Sequence, residues 1–208
     1  MKNDIYVEKC RFPREDQNMS PKQETKLKQL GVFTLAQAGE HGISQQSLSK
    51  LVKTRRLKRV GRGIYLHPAA DIDQSVGFQI ACAKFGPEAA IGGLSALFHY
   101  NLAEQVPGQT WILVPPDKRS SERGYRLIRT KISLDKGIVA KDGYKIVSIE
   151  RAILEGLKLA TKIGERTAIG AARTAIAMRQ TSESKLGKAA KDLGLESVIA
   201  RYFEAIVA

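Results

Sequence analysis

The sequence is poor in cysteine and histidine. It contains two cysteines, Cys10 and Cys82, and three histidines in 208 residues. The cysteines lie far apart and have no neighbouring Cys or His at the short spacings of a zinc site. We therefore predict neither a disulfide framework nor a tetrahedral zinc centre, and no metal or other cofactor. This cysteine usage is typical of a reducing cytoplasm.

Long hydrophobic runs are also missing. No apolar stretch approaches the roughly 20 residues that span a bilayer. The first residues, Met1-Lys2-Asn3-Asp4, lead into polar sequence without the apolar core of a signal peptide. The composition is nonetheless 43% hydrophobic, which suffices for one good core or two small domains. We expect a soluble cytoplasmic protein with no membrane partner.

Acidic residues are absent from residues 41–70, which contain seven Lys/Arg. The chain has a net charge of +13, to which this stretch contributes +7, residues 1–40 contribute +1 (7 basic, 6 acidic) and residues 71–208 contribute +5 (20 basic, 15 acidic). Because the excess is local, a polyanion such as nucleic acid is the first partner to consider, with an acidic protein as the alternative.

The basic stretch follows a pattern of short helices. Ser20-Pro21 opens a helix that ends before Gly31, and Thr34 caps a second helix that runs through Ala38. A third helix begins after Ser44, with Leu48, Leu51 and Val52 on its buried face. A hairpin with a Gly61-Arg62-Gly63 tip follows. This order predicts a helix-turn-helix with a basic wing.

The third helix and the hairpin carry the side chains that nucleic-acid recognition requires. Gln pairs with adenine through two hydrogen bonds, and Lys reaches guanine or a phosphate. A helix N-terminus also favours a phosphate. An ordinary solvated helix face is the alternative. The candidate DNA-binding residues are Ser44, Gln45, Gln46, Ser49, Lys50, Lys53, Arg55, Lys58, Arg59 and Arg62.

Several motifs in residues 27–68 carry a family resemblance: Phe33-Thr34-Leu35-Ala36-Gln37-Ala38, Gly42-Ile43-Ser44, Leu48-Ser49-Lys50-Leu51-Val52 and Leu57-Lys58-Arg59-Val60-Gly61-Arg62-Gly63-Ile64-Tyr65. Their order and spacing resemble the N-terminal winged helix of AbiEi-type antitoxins. The resemblance implies operator binding and autorepression of a type IV toxin–antitoxin operon. It further implies a C-terminal domain that counters a nucleotidyltransferase-like toxin.

The rest of the sequence predicts a mixed second domain. Helices are expected at residues 71–85 and 90–100, strands at 110–114, 125–132 and 144–147, with a hairpin turn at Asp142-Gly143. A helix capped by Ser148 follows, with Ile149, Ala152, Ile153 and Leu157 buried. Residues 164–208 predict three helices, broken near Thr181-Ser182 and Gly194. The fold class is α+β, with an arm at 1–20, a winged helix-turn-helix at 21–70 and an α/β domain at 71–208.

Two segments of this second domain also resemble AbiEi-like proteins. One runs from Ile91 through Leu102 and Glu104-Gln105-Val106-Pro107 into the strand at 110–114. The other is Val147-Ser148-Ile149-Glu150-Arg151-Ala152-Ile153-Leu154, in which a strand leads into a helix that begins with an acidic-basic pair.

Enzyme chemistry is disfavoured. Ser95 and His99 are spaced i, i+4, but the sequence around Ser95 lacks the second glycine of a nucleophile elbow, so a buried hydroxyl and a packed histidine are expected. Gly92-Gly93 with Ser95 is similar to a nucleotidyltransferase loop, but the paired carboxylates that hold magnesium are missing downstream. The single Asp-x-Asp, Asp71 and Asp73, lies upstream. A nuclease subunit is disfavoured for lack of a carboxylate–lysine cluster.

A second basic patch follows Pro115-Pro116 and consists of Lys118, Arg119, Arg123, Arg126 and Arg129, with Lys131 beside it. It has two readings, either a solvated loop and strand edge or a second surface for DNA or a protein partner. The sequence leaves both open. Trp111, in the apolar strand before it, is predicted to lie in the core.

The leading function is sequence-specific binding of double-stranded DNA by an antitoxin and autorepressor. Because one winged domain makes few base contacts, an inverted repeat read by a homodimer or two monomers is expected. The alternatives are a stand-alone winged-helix transcription factor and a protein-interaction module in which DNA binding is secondary.

Overall fold

The computed structural model describes residues 19–69 and 74–208. In these residues the chain forms ten helices and eight strands in two sheets. The helices are α1 Pro21–Leu30, α2 Leu35–Glu40, α3 Gln45–Lys53, α4 Gln74–Phe85, α5 Gly93–His99, α6 Ile149–Lys158, α7 Ala160–Ile163, α8 Glu165–Ala177, α9 Glu183–Leu193 and α10 Glu196–Val207. The strands are β1 Val32–Thr34, β2 Lys58–Gly61, β3 Ile64–Leu66, β4 Ala90–Ile91, β5 Thr110–Val114, β6 Tyr125–Arg129, β7 Ile138–Lys141 and β8 Tyr144–Val147. The predicted α+β class is confirmed.

The first three helices begin and end close to the predicted residues. In α1, Ser20 and Gln23 form a reciprocal capping box, and the N–H of Gly31 donates to the carbonyl of Leu27. Thr34 and Gln37 form the same motif in α2, which continues to Glu40 and not only to Ala38. Capping chemistry therefore accounts for where these helices start.

A three-stranded antiparallel sheet accompanies these helices, in the order β1-β3-β2. Strand β1 was not predicted, because three residues after a helix-ending glycine give no alternating pattern. It pairs with β3, where Val32 lies opposite Leu66. Leu27, Phe33 and Leu48 are fully buried beneath the sheet and helices.

The second sheet has five strands in the order β6-β5-β4-β8-β7. The pairs β4–β5 and β7–β8 are antiparallel, whereas β4–β8 and β5–β6 are parallel. The predicted strand at 110–114, the hairpin turn at Asp142-Gly143 and the three helices after Gly164 are confirmed. The largest core of the described chain lies between this sheet and helices α5, α6 and α8.

Two sequence predictions in this region are wrong at their ends. Ala90–Ile91 is a central strand and not the first turn of a helix. Gly92 then lets the backbone pass close to β5, because a Cβ at Gly92 would lie 1.9 Å from the Cδ1 of Leu113. Strand β6 ends at Arg129 instead of residue 132 because the Thr130 side chain turns the chain by accepting the N–H of Ile132.

Helix α6 buries more than the predicted apolar stripe. Ala152, Ile153 and Leu157 are buried as expected, and Ile149 is half-buried. Arg151 and Glu155, one turn apart, are buried as well and form an ion pair with 2.9 Å between Nε and Oε1. A charged pair inside a core helix was not predicted.

Helix α4 lies between the two sheets and contacts strands of both. Its Val76 joins a buried cluster with Val32, Ile64 and Leu66 of the three-stranded sheet. Phe78 and Phe85 belong to the core of the five-stranded sheet. The predicted start of this helix at residue 71 and the predicted boundary between the domains 21–70 and 71–208 lie outside the described residues. The same is true of Asp71, Asp73, Cys10 and residues 1–18 of the arm.

Across residues 19–69 and 74–208, every helix is too short or too polar to cross a membrane. The same residues contain no group of three or more His, Cys, Asp or Glu side chains placed to hold a metal ion. Cys82, the cysteine in this part of the chain, is a free thiol whose pKa is raised by burial.

Candidate nucleic-acid interface

Helix α3 presents one exposed polar face. Ser44 caps the helix by accepting the N–H of Ser47, and Leu48 and Leu51 anchor the opposite face in the core. The spacing of 3.6 residues per turn brings the remaining side chains onto one side of the helix. The exposed side chains on that face are Gln45, Gln46, Ser49, Lys50 and Lys53.

Hydrogen bonds within α3 limit what one of these groups can do. The hydroxyl of Ser49 donates to the carbonyl of Gln45 at 2.9 Å, so in this conformation the Ser49 oxygen is left as an acceptor. The structure gives no intramolecular hydrogen bond to the side chains of Gln45, Gln46, Lys50 or Lys53 among the described residues. These four groups therefore keep their full donor and acceptor capacity for a ligand.

The chain leaves α3 through Arg55, whose φ of 59° lies in the left-handed region. The next two backbone N–H groups, of Arg56 and Leu57, both donate to the carbonyl of Leu51. This arrangement closes the helix and turns the chain toward β2. Arg55 stays exposed at this corner, between α3 and the hairpin.

Strands β2 and β3 form the predicted hairpin. Gly61 pairs with Ile64, leaving Arg62 and Gly63 in the turn, and a register shift between Arg59 and Gly61 places a bulge in β2. The carbonyl of Gly63 accepts the N–H of Leu35, the first residue of α2, at 2.8 Å. The hairpin turn is thus attached to the helices.

The cations of the hairpin are exposed. Lys58, Arg59 and Arg62 point to solvent, and the Nε of Arg59 donates to the carbonyl of Gly61 at 3.3 Å. Among the described residues, no carboxylate forms a salt bridge with any of the three. Their positive charge is therefore available to a polyanion.

Within the basic residues 41–70, one cation is neutralised by a salt bridge. The guanidinium of Arg56 forms a salt bridge with Glu24 of α1, with 2.8 Å between Nη2 and Oε1. The hydrogen bond and charge of Arg56 lower the pKa of the Glu24 carboxyl. Sequence analysis missed this pair, because the acid lies 32 residues away in the chain.

The second basic patch lies on β6 and on the loop of residues 115–124 that precedes it. Arg119 and Arg123 are exposed, as is Arg129, whose Nε donates to the carbonyl of Lys118 at 2.9 Å. Arg126 instead stacks over the ring of Trp111, 4.2 Å from its centroid. Because β6 is an edge strand, the patch borders an open side of the sheet.

Ser95 is buried in the core and His99 packs, half-buried, at its edge. Ser95 is 2% exposed, and its hydroxyl oxygen accepts the backbone N–H of Trp111 at 2.9 Å. The His99 ring packs edge-on against Phe78 and Tyr144, and burial lowers its pKa. The buried hydroxyl, the packed histidine and the core position of Trp111 agree with the sequence predictions.

A capped helix with a free polar face, joined by a tight corner to a hairpin with exposed cations, is typical of small units that contact nucleic acid. Residues 24–68 match the family model described as "Transcriptional regulator, AbiEi antitoxin", which confirms the resemblance predicted for residues 27–68. The segment is similar to DNA-binding regulators of that antitoxin family. No curated protein matches the chain in sequence. The resemblance of the segments at Ile91 and Val147 stays a prediction.

Proposed function

We propose that residues 21–70 form a winged helix-turn-helix that binds double-stranded DNA. The observation that carries the proposal is that one segment contains both the exposed polar face of α3 and the β2–β3 hairpin, whose exposed cations form no salt bridge. The order of helices and strands and the match to an antitoxin-regulator family support it. Residues 71–208 form the second domain in this proposal.

In the proposed complex α3 enters the major groove. Gln45, Gln46 and Lys50 then read base edges. Ser49 also contacts a base, as a hydrogen-bond acceptor, because its hydroxyl proton is donated to the carbonyl of Gln45. The cationic groups at the end of α3 and on the hairpin bind phosphates or the minor groove; they are Lys53, Arg55, Lys58, Arg59 and Arg62.

The biological role proposed is that of an antitoxin that represses its own type IV toxin–antitoxin operon. The description of the matched family supports the regulator and antitoxin functions. A homodimer on an inverted repeat supplies enough base contacts for specificity. Residues 71–208 counter a nucleotidyltransferase-like toxin in this proposal, and the site of action is the cytoplasm.

A protein-interaction role for the second domain is the other candidate. It is favoured by large apolar side chains that stay exposed on the C-terminal helices: Met178, Phe203 and Val207 are 56%, 43% and 48% exposed. The side chain of Arg173 in α8 donates to the carbonyl of Ala205 in α10, so these two helices are directly joined. Exposed apolar side chains that lie together on one surface are typical of a contact with another protein.

The proposed DNA contact is tested by replacing Lys58, Arg59 and Arg62 together with Ala. Each phosphate contact contributes about 0.9 to the slope of log affinity against log salt, so the slope should fall by roughly 2 to 3 on every DNA sequence. The binding of a labelled duplex is measured by fluorescence anisotropy over a series of salt concentrations.

The matched control removes three exposed cations elsewhere, by the changes Lys158→Ala, Lys162→Ala and Arg166→Ala. The control should keep the wild-type slope. If the hairpin variant and the control both keep that slope, the hairpin does not bind phosphates and this part of the proposal is wrong.

A further inference from the structure

A cleft of about 690 Å³ lies between the three-stranded sheet and the β7–β8 hairpin. Its walls come from α1, β1 and α2 on one side, from the hairpin on the other, and from α4, which contacts both sheets. Apolar groups in these walls include Leu30, Val32, Ala83 and Ala89. A cleft of this size between domains is a preferred place for a ligand. None of the residues assigned to DNA binding lines it.

Strand β7, which borders this cleft, is an open edge of the five-stranded sheet. The N–H of Ser148 donates to the carbonyl of Gly137, so every second residue from Gly137 onward bonds to β8. The N–H and C=O groups of Ile138 and Ala140 therefore point out of the sheet. Ala140 is exposed and lines the cleft, and its main chain forms no hydrogen bond with the rest of the described chain.

Strand β1, in the opposite wall, is the edge of the three-stranded sheet. The N–H of His67 donates to the carbonyl of Gly31, so every second residue from Gly31 bonds to β3. The N–H and C=O of Val32 therefore point away from β3 and have no partner within residues 19–69 and 74–208. Val32 is only 6% exposed. Buried main-chain groups of this kind are normally satisfied by a bound chain, a ligand or water.

Donor groups predominate among the polar side chains of the cleft. Lys141 forms no salt bridge in the part of the chain that the structure describes, and Lys145 uses one of its three N–H donors on the carbonyl of Pro87. The side-chain oxygen of Gln37 is used in the cap of α2, which leaves its amide NH₂ as a donor. Two lysines against one carboxylate, that of Asp142, give the lining a charge of +1. The cleft therefore suits an occupant with an apolar centre and acidic ends.

We propose that the cleft binds an extended peptide segment of a partner protein, which adds to the edge of β7 as a sixth strand. The main chain of the peptide pairs with Ile138 and Ala140, and Val32 offers a further donor and acceptor from the opposite wall. Acidic residues of the peptide lie near Lys141 and Lys145. A peptide fits better than a small molecule because it carries donors and acceptors at the spacing of a strand. The proposal does not depend on DNA binding.

The first test uses the full chain and a fluorescein-labelled peptide of sequence Asp-Val-Thr-Val-Glu, with binding followed by fluorescence anisotropy. Ala140→Pro removes the outward N–H, and an edge strand tolerates proline where that N–H faces solvent. We expect its affinity for the peptide to fall by roughly tenfold, with thermal unfolding close to that of the wild type. Ala140→Ser keeps the N–H and is the matched control. Unchanged affinity in Ala140→Pro would overturn the strand addition.

Methylation of the peptide main chain gives the reciprocal test. In an added strand, alternate N–H groups face the edge that the strand joins. One peptide carries an N-methyl group on its central Thr, and a second carries N-methyl groups on both Val residues. At least one of them should bind roughly tenfold more weakly than the unmodified peptide. If both bind as tightly as the unmodified peptide, the contact is made by side chains alone and the proposal is wrong.

The charge of the cleft is tested by Lys141→Gln. This change should weaken binding of the acidic peptide by up to about fivefold, as expected for an exposed ion pair, and should not affect the neutral peptide Asn-Val-Thr-Val-Gln. Lys158→Gln, which changes an exposed lysine outside the cleft, is the control and should affect neither peptide. A loss of the same size for both peptides would contradict the role given to Lys141.

Two further outcomes would assign the peptide or the cleft differently. If Met178→Ser with Phe203→Ser abolishes peptide binding, the peptide docks on the C-terminal helices and the proposal is wrong. If the wild type sediments as a dimer and Ala140→Pro as a monomer, the occupant is a second copy of this chain, and the proposal is again wrong. Binding of duplex DNA should be the same in Ala140→Pro and the wild type, so this proposal and the proposed function can fail separately.

Discussion

Replacing Arg151 with Met should destabilise the protein by about 3–5 kcal/mol, the usual cost of breaking a buried ion pair from one side. Arg151 is fully buried, and its Nε donates to Glu155 at 2.9 Å. Its Nη1 donates to the carbonyl of Ser133 at 2.8 Å and also to that of Lys136. Met keeps an unbranched apolar side chain in the space but leaves a buried carboxylate and two carbonyls without their donor.

The pH dependence identifies the carboxylate as the source of that cost. Burial raises the pKa of the Glu155 carboxyl above its ordinary value, and Arg151 opposes the rise. In Arg151→Met the charge of Lys158, a weaker influence than Arg151, is left to oppose the rise. Because the folded pKa then exceeds the unfolded pKa, stability is greatest below the unfolded pKa and is lost as pH rises through the folded pKa.

The assay is urea unfolding followed by circular dichroism, with Arg151→Met compared against Arg151→Met/Glu155→Gln. The double variant lacks the ionisable group, so it should be more stable than the single variant near pH 7, and the two should converge toward about pH 4 to 5. A cost below about 1 kcal/mol for Arg151→Met, or a gap between the variants that does not change with pH, would refute the reasoning.

Two further predictions concern the DNA interface. Gln45→Ala or Gln46→Ala should reduce the discrimination between operator and scrambled duplex by about 1–3 kcal/mol if that residue reads a base, whereas equal losses on both duplexes would exclude direct readout there. Glu24→Gln frees Arg56 from its salt bridge and should raise the salt slope by about 0.9, with thermal unfolding close to that of the wild type. An unchanged slope would mean that Arg56 does not reach the DNA.

Local chemistry made the N-terminal segment predictable from sequence. Ser20, Thr34 and Ser44 each cap a helix through their own side chain, so the start of each helix is encoded within a few residues. The Gly61-Arg62-Gly63 tip likewise specifies a hairpin locally. The exposed face of α3 followed from the positions of Leu48 and Leu51, which is why the candidate base-reading residues could be named.

Contacts between distant parts of the chain could not be predicted in this way. The edge pairing of β1, the strand Ala90–Ile91 and the salt bridge between Glu24 and Arg56 all depend on partners far along the sequence. The burial of Arg151 depends on carbonyl groups that a loop supplies from another part of the chain. The same holds for Lys84 of α4, which packs on Gly61 of the hairpin and forms a salt bridge with Glu122 of the 115–124 loop.

The measurement that tests the account most directly is the affinity of the full chain for its own upstream DNA and for a scrambled duplex over a salt series. The account predicts tight, sequence-selective binding with a steep salt slope that falls by roughly 2 to 3 when Lys58, Arg59 and Arg62 are changed to Ala. Weak binding that is indifferent to sequence and to these changes would contradict it and would favour a protein-interaction role for the whole chain.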